Sequence, residues 1–284
     1  MIPERESGPR PAVSLELAFL LALLAPLVHL LWTILFGQIG FQLVISSLGM
    51  GALVTYGGLF ALCASRFRAP PARQLGFVAA PGPAWLAVVF LTSALVLSSE
   101  VDNVVKSLAP PPPPPAPSGA VTTPPFFGIA LALVYIGVYP LVYDVFFRGV
   151  LQPLATARFG AAPGVLLTTV MSGFAAAFLP AIMNGGAGAL APAFTDALVL
   201  CILRQSAGSL WPVLALHVLW GVGLICAQYQ VFGLAGFDAG GAHTPMPWVA
   251  GAALLTGVGL GLCRAAARGS ARSSSPATST RASA

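Results

Sequence analysis

Residues 17–36 carry the sequence LAFLLALLAPLVHLLWTILF, which holds no charged side chain. A bilayer core about 30 Å thick is crossed by roughly 20 apolar residues in an α-helix, so this stretch is long enough to span a membrane. It is also longer than the apolar region of a signal peptide, and no clear small-residue cleavage site closes it. We therefore predict a retained membrane-spanning helix over about residues 13–36.

The composition of the whole chain supports the same class. Only 7% of the 284 residues are charged and 57% are hydrophobic, whereas a soluble domain is about 25% charged. There is too little polar surface to cover a soluble globule, which excludes a soluble enzyme, a nucleic-acid-binding protein and a disordered chain. The net charge of +5 is then explained by membrane topology rather than by a polyanionic partner.

The other apolar runs are long and do not alternate with polar residues, so they predict helices rather than the strands of a β-barrel. The expected fold class is all-α, a polytopic transmembrane helical bundle with about eight spans. The sixth run is short for a span. The expected spans cover about residues 13–36, 41–65, 84–100, 126–148, 163–183, 190–204, 208–231 and 246–263.

The basic residues orient this bundle, because Lys and Arg collect in cytoplasmic loops. With the N-terminus inside, the arginines fall on the cytoplasmic side and only Lys106 lies outside. Arg148 is the weakest member of the set, since it falls within an expected span. An even number of spans with both termini cytoplasmic gives this partition. Arginine greatly outnumbers lysine, which suggests a GC-rich bacterial genome, so we expect a multi-pass protein surrounded by the lipid of a bacterial cytoplasmic membrane.

Three segments are predicted along the chain. Residues 1–125 hold N-terminal transmembrane helices and an external loop, in which Pro110–Pro115 form an extended polyproline II spacer. Residues 126–265 form a transmembrane core. Residues 266–284 are rich in Ser, Ala and Arg and are expected to be a disordered cytoplasmic tail.

The cysteines and histidines do not predict a metal or cofactor site. No CxxC or Cys/His cluster is present, so the cysteines are expected to be buried free thiols that pack as small hydrophobic groups. They are spread along the chain at Cys63, Cys201, Cys226 and Cys263.

A few polar residues lie inside the expected spans, where a charge costs about 2.5 to 3.5 kcal/mol and usually faces the bundle interior. Asp144 and Arg148 are four residues apart, which places them on one helical face, either as a structural ion pair or as part of a functional site. Asp196, His29 and His217 are either interhelical hydrogen-bond partners or functional groups.

Three short motifs surround these residues. Residues 143–151 are YDVFFRGVL, residues 174–179 are FAAAFL and follow Ser172, and residues 209–217 are SLWPVLALH. In this order they resemble the Glu-Glu-x-x-x-Arg, Phe-x-x-x-His and Ser-Leu-x-x-x-x-x-x-His signatures of the CPBP family, the type II CAAX prenyl endopeptidase-like glutamic intramembrane proteases. The resemblance covers about residues 126–230, and it implies a fold for which eight spans are suitable.

The resemblance also implies a catalytic set, in which the first Glu and two histidines activate water and an Asn or Asp one helical turn after the last His assists. Of the polar motif residues, only Arg148 and His217 are unchanged in this chain. Tyr143 replaces the first Glu and Asp144 the second, Phe178 replaces the middle His, and Gly221 replaces the Asn or Asp. A tyrosine hydroxyl is not ionised at neutral pH, and a phenylalanine ring offers neither a proton nor a lone pair. The candidate catalytic residues are therefore a remnant, with Asp144, Arg148 and His217 beside the substituted positions Tyr143, Phe178 and Gly221.

Two functions follow from this pattern. The first is an integral membrane protein with lost or reduced peptidase activity, which binds or presents a transmembrane segment of a partner protein and assists an active protease. The alternative is an active, divergent intramembrane endopeptidase that cleaves membrane-anchored proteins near a C-terminal hydrophobic sorting signal. A small-molecule transporter has no support, because no paired interrupted helices or inverted halves are visible.

Overall fold

The structure is a computed structural model that describes residues 13–38, 44–66, 71–108, 136–137, 139–183, 190–228, 236 and 242–273. All regular secondary structure within these ranges is helical, and none of them contains a strand. The predicted all-α class is therefore confirmed.

The described residues form eleven helical elements, one of them a π-helix. Residues 139–144 are also helical and lead directly into a π-helix. In chain order the elements are α1 (Leu15–Gln38), α2 (Val44–Ala64), α3 (Pro71–Leu75), α4 (Gly82–Leu91), α5 (Ala94–Leu108), the π-helix Val145–Leu151, α6 (Gln152–Phe159), α7 (Ala161–Met183), α8 (Leu190–Ala207), α9 (Trp211–Gln228) and α10 (Met246–Ser273).

Several of these helices are long and apolar enough to cross a membrane, which makes this a multi-pass membrane protein. Five candidate spans are found in the described part of the chain, at Leu15–Gln38, Gly82–Leu108, Ala161–Ile182, Leu190–Ala207 and Met246–Gly269, and shorter apolar helices lie at Gly49–Ala64 and Trp211–Cys226. They coincide with seven of the eight expected spans. About half of the expected span 126–148 lies outside the described residues, so the number of crossings and the orientation of the termini stay predictions.

The outer faces of these helices are strongly apolar. Leu31, Val89 and Leu254 expose more than 60% of their surface, which in water would be an unusually large apolar patch. Such faces are suited to contact with lipid tails.

Small residues allow the helices to approach closely. A Cβ atom added at Gly173 of α7 would lie 2.6 Å from Cδ1 of Phe194 on α8, and one at Gly259 of α10 would lie 2.7 Å from Cγ of Leu91 on α4. Because lipid tails are as apolar as leucine, membrane helices associate through such close packing rather than through the hydrophobic effect. These glycines therefore set the distances between α7 and α8 and between α4 and α10.

The motif segment lies in the largest apolar cluster among the residues that the structure describes. Phe146, Phe147 and Leu151 of the π-helix are fully buried, and α1 and α2 cover them with small residues and with the buried ring of Tyr56. A second cluster joins α4, α8, α9 and α10 around Trp220. The division of the chain at residue 126 stays a prediction.

The structure describes part of the predicted C-terminal tail but not the predicted proline-rich loop. The proline run Pro110–Pro115 lies outside the described residues. Helix α10 continues to Ser273, so residues 266–273, which were expected to belong to the disordered tail, are helical. Three consecutive alanines, Ala265–Ala267, explain this extension, because alanine has the highest intrinsic helix propensity.

Candidate active site

Asp144 is the centre of the site, and it joins two of the other predicted residues. Its Oδ1 atom accepts a hydrogen bond from Nη1 of Arg148 at 2.6 Å, and its Oδ2 atom lies 2.8 Å from Nδ1 of His217. Asp144 is completely buried and Arg148 is 1% exposed. The structure therefore brings Asp144, Arg148 and His217 together, although Asp144 and His217 are 73 residues apart in sequence.

The local backbone around Arg148 is unusual. The segment after Asp144 is a π-helix, in which Gln152 N–H donates to the carbonyl of Phe147, five residues back. The next donor in this pattern would be residue 153, which is proline and has no N–H. The carbonyl of Arg148 therefore has no donor within its own helix. π-Helical turns are rare and occur frequently at functional sites.

Arg204 of α8 supplies the missing donor. Its Nε atom donates to the carbonyl of Arg148 at 3.0 Å, and Nη2 donates to the carbonyl of Leu75 at 3.4 Å. The guanidinium fits because residue 76 is glycine: a Cβ there would lie 2.3 Å from Nη2, and its φ of +88° favours glycine. Arg204 thus fastens the motif helix to α8 and to the end of α3.

Tyr143 is held in place by a hydrogen bond and by aromatic packing. Its hydroxyl donates a hydrogen bond to the carbonyl of Ser172 on α7, and its ring packs against the rings of Tyr56 at 4.9 Å and Phe147 at 4.6 Å. The Arg148 guanidinium carbon lies 5.5 Å from the Tyr143 ring centroid, a distance typical of a cation–π contact. This position is now a buried aromatic wall beside the ion pair.

Helix α7 contributes a serine rather than a histidine to the ion pair. Ser172 Oγ lies 3.4 Å from Nη2 of Arg148, at the long end of the hydrogen-bond range, and donates to the carbonyl of Thr168. Phe178, which stands where the family has the middle His, packs instead on the ring of Phe174 at 5.5 Å. The α7 side of the site therefore lacks a titratable group at the motif position.

Gly221 cannot carry the assisting Asn or Asp of the family without rearrangement. A Cβ atom at residue 221 would lie 2.9 Å from Cγ2 of Ile136, closer than real Cβ contacts. The space for that side chain is occupied by the isoleucine, so the loss at Gly221 is linked to the packing of the helix that precedes the motif.

His217 is the member of the site that reaches the surface, with 21% of its side chain exposed. Because Asp144 is held by Arg148 as an ion pair, we assign Nδ1 of His217 as the donor to the Asp144 carboxylate. Its ring also meets the edge of Tyr143 at 6.4 Å. Nε2 has no hydrogen-bond partner among the residues that the structure describes.

The remaining polar candidates divide between two places. His29 lies among the aromatic side chains above the site, with its ring 5.8 Å from Tyr56 and 6.4 Å from Tyr139. Asp196 lies close enough to His217 and Arg148 to interact electrostatically with both. Asp196 therefore belongs to the neighbourhood of the ion pair, and His29 packs beside the rings of Tyr56 and Tyr139.

No group of three or more His, Cys, Asp or Glu side chains is arranged to hold a metal ion in the part of the chain that the structure describes. Cys63, Cys201 and Cys263 are buried free thiols, and Cys226 is half-buried. The backbone of Cys201 has a structural role, because its carbonyl accepts a hydrogen bond from Nε2 of Gln152 at 2.9 Å.

The region that holds the three motifs also matches a known protein family. Residues 124–223 match the family model described as Type II CAAX prenyl endopeptidase Rce1-like. Neither the comparison with curated proteins nor that with solved structures gives a significant match. The matched range includes all three motifs and the buried ion pair. The segment from 124 to 223 is therefore Rce1-like, and the resemblance to the CPBP type II CAAX prenyl endopeptidases is confirmed over that range.

Proposed function

We propose that this intramembrane protease-like protein binds or presents a transmembrane segment of a partner protein, and that its peptidase activity is lost or reduced. The observation that supports this proposal is that both oxygens of the Asp144 carboxylate are engaged, one by Arg148 and one by His217. We place the protein in the cytoplasmic membrane of a bacterium, with both termini in the cytoplasm.

Peptide hydrolysis needs a base that takes a proton from water and donors that hold the developing oxyanion. At the motif positions of this chain, Asp144 is fully buried and the hydroxyl of Tyr143 is engaged by the carbonyl of Ser172. Phe178 has no acid–base chemistry. The first Glu and the middle His that the family resemblance implies are thus not replaced by equivalent groups. The remaining carboxylate, Asp144, is already bound by Arg148 and His217.

The binding part of the proposal rests on the helical frame and on His217, which this chain retains. The helical frame around the ion pair is closely packed, and the retained His217 reaches the surface. Apolar and aromatic side chains line the positions from which polar groups have been lost. A site of this composition favours a membrane-embedded apolar segment over a polar substrate.

A second candidate is favoured by one contact. The carboxylate of Asp144 orients His217 through Nδ1, which is the arrangement that prepares the other ring nitrogen of a histidine as a general base. In this version Nε2 takes a proton from water, the water oxygen adds to the peptide carbonyl, and the proton passes to the amine as the C–N bond breaks. The protein would then be a divergent endopeptidase that cleaves near a C-terminal hydrophobic signal.

A cleavage assay separates the two candidates. The purified protein in lipid nanodiscs is given a quenched fluorescent peptide with a prenylated CAAX end and a membrane-anchored reporter with a C-terminal hydrophobic segment. We expect no cleavage above background. Cleavage that is lost in His217→Ala and kept in His243→Ala, which changes a histidine that is 56% exposed, would establish the endopeptidase and reject the first candidate.

Binding is measured separately from cleavage. A fluorescently labelled poly-leucine transmembrane peptide should associate with the protein in nanodiscs more strongly than with empty nanodiscs. Association that does not depend on the protein would reject the binding proposal.

The orientation of the protein in the membrane is tested by the accessibility of single cysteines, placed at Arg66 and at Lys106, to thiol reagents added from either side of spheroplast membranes.

A further inference from the structure

Asp196 is a half-buried carboxylate that the ion pair does not use. Its Oδ1 atom is shielded from solvent and has no hydrogen-bond partner among the residues that the structure describes. The side chain of Ser98, on α5, interacts with the same carboxylate. One hydroxyl satisfies only part of a carboxylate, which can accept about four hydrogen bonds.

The position of Asp196 in the bundle is well defined. Its helix is held against α7 by the contact between Phe194 and Gly173 and against α5 by a long hydrogen bond from Ser98 to the carbonyl of Pro192. The first turns of α8, residues 191–196, are half-exposed, whereas Leu200 and Leu203 further along are buried. Asp196 therefore lies where the accessible half of α8 meets the buried half.

The nearby cations are committed to another acid. Arg148 is bound by Asp144 through its Nη1 atom, and His217 is directed to the same carboxylate through Nδ1. Both act on Asp196 only at longer range. An acid inside a membrane protein is costly and is commonly paired with a cation. Asp196 thus lacks a cationic side chain in hydrogen-bond contact within the described residues.

We propose that Asp196 is a recognition site for a lysine or arginine side chain carried within the transmembrane segment that this protein binds. The proposal rests on the binding function above and adds the chemistry of its partner. A basic group would complete the hydrogen bonding of Oδ1 and supply the countercharge that Asp196 lacks. The half-exposed first turns of α8 are the side from which a neighbouring helix reaches it.

The test uses synthetic transmembrane peptides with one central residue that differs. Full-length protein carrying a donor fluorophore is placed in lipid nanodiscs, and acceptor-labelled poly-leucine peptides with a central Lys, Leu or Glu are titrated by energy transfer. We expect the Lys peptide to bind about tenfold more tightly than the Leu peptide, the upper range for a polar contact between membrane helices. The Glu peptide should bind most weakly.

Two variants locate the effect. Asp196→Asn keeps the size of the side chain but removes its charge, and it should bring the Lys and Leu affinities close to equality. Asp102→Asn is the matched control, because Asp102 is partly exposed and already paired with Lys106; it should keep the preference for Lys.

The outcomes distinguish this inference from the function on which it rests. If no peptide binds the wild-type protein, both are wrong. If the Lys and Leu peptides bind equally, or if Asp196→Asn retains the preference, the recognition site is wrong and the binding function stands. The three peptides on wild-type protein decide the question even if Asp196→Asn does not fold.

Discussion

The stability of the buried pair between Arg148 and Asp144 is the most direct consequence of the site geometry. The substitution Arg148→Met keeps an unbranched apolar stem and removes the guanidinium, so Asp144 remains as a charge with no exposed surface. Removing one partner of a buried pair costs about 3 to 5 kcal/mol. Because His217 still donates to Oδ2, we expect the lower end, a loss of about 3 kcal/mol in the free energy of unfolding.

A second substitution shows whether the cost comes from the stranded charge. Asp144→Asn in the Arg148→Met background removes that charge, and we expect the double variant to recover at least about 1 kcal/mol, as coupled neighbours do. The assay is reversible unfolding in mixed micelles with a rising fraction of dodecyl sulfate, followed by circular dichroism.

A second ion pair, which is more exposed to water, serves as an internal control. Lys106 and Asp102 are also an Asp–cation pair four residues apart, but their side chains are 31% and 25% exposed. Lys106→Met should cost less than about 1 kcal/mol, as exposed pairs do. If Arg148→Met costs no more than Lys106→Met, the Asp144 carboxylate has access to water and our reasoning about the site is refuted.

Three further predictions concern the frame of the site. Arg204→Lys should cost about 1 to 2 kcal/mol and speed hydrogen exchange in the π-helix, because one ammonium cannot replace two guanidinium donors directed at separate carbonyls. Gly173→Ala should cost about 1 to 3 kcal/mol from overpacking, whereas Gly251→Ala in α10, where nothing lies within 4 Å, should not destabilise; equal effects on the unfolding midpoint would contradict the close helix contact. Tyr143→Phe should cost about 1 kcal/mol by deleting one buried hydrogen bond, and no change in stability would mean that the hydroxyl is not bonded.

The sequence predicted the parts of the molecule that depend on local patterns. Long apolar runs predicted the helices, because crossing a bilayer requires that length. The four-residue spacing of Asp144 and Arg148 placed them on one face, which a helix guarantees. The family resemblance then pointed to His217 as the third member, and the structure brings it to the same carboxylate.

The sequence could not predict the parts that depend on tertiary packing. The charge pattern assigns Arg204 to the cytoplasmic arginines, whereas the tertiary fold directs its donors to carbonyls of α3 and the π-helix. One signal was available, since Pro153 leaves a carbonyl without a donor wherever the helix before it continues. Pro153 does not reveal which distant side chain supplies the donor, so this contact needed the structure.

The contact between Gly221 and Ile136 couples these two positions in evolution. With isoleucine in place, a new side chain at 221 meets a clash, so we expect a mutation to a polar residue there to be selected against through its effect on folding. Such a residue fits more easily when position 136 carries a smaller side chain. Natural variants that carry a polar residue at 221 should therefore also carry a smaller residue at 136.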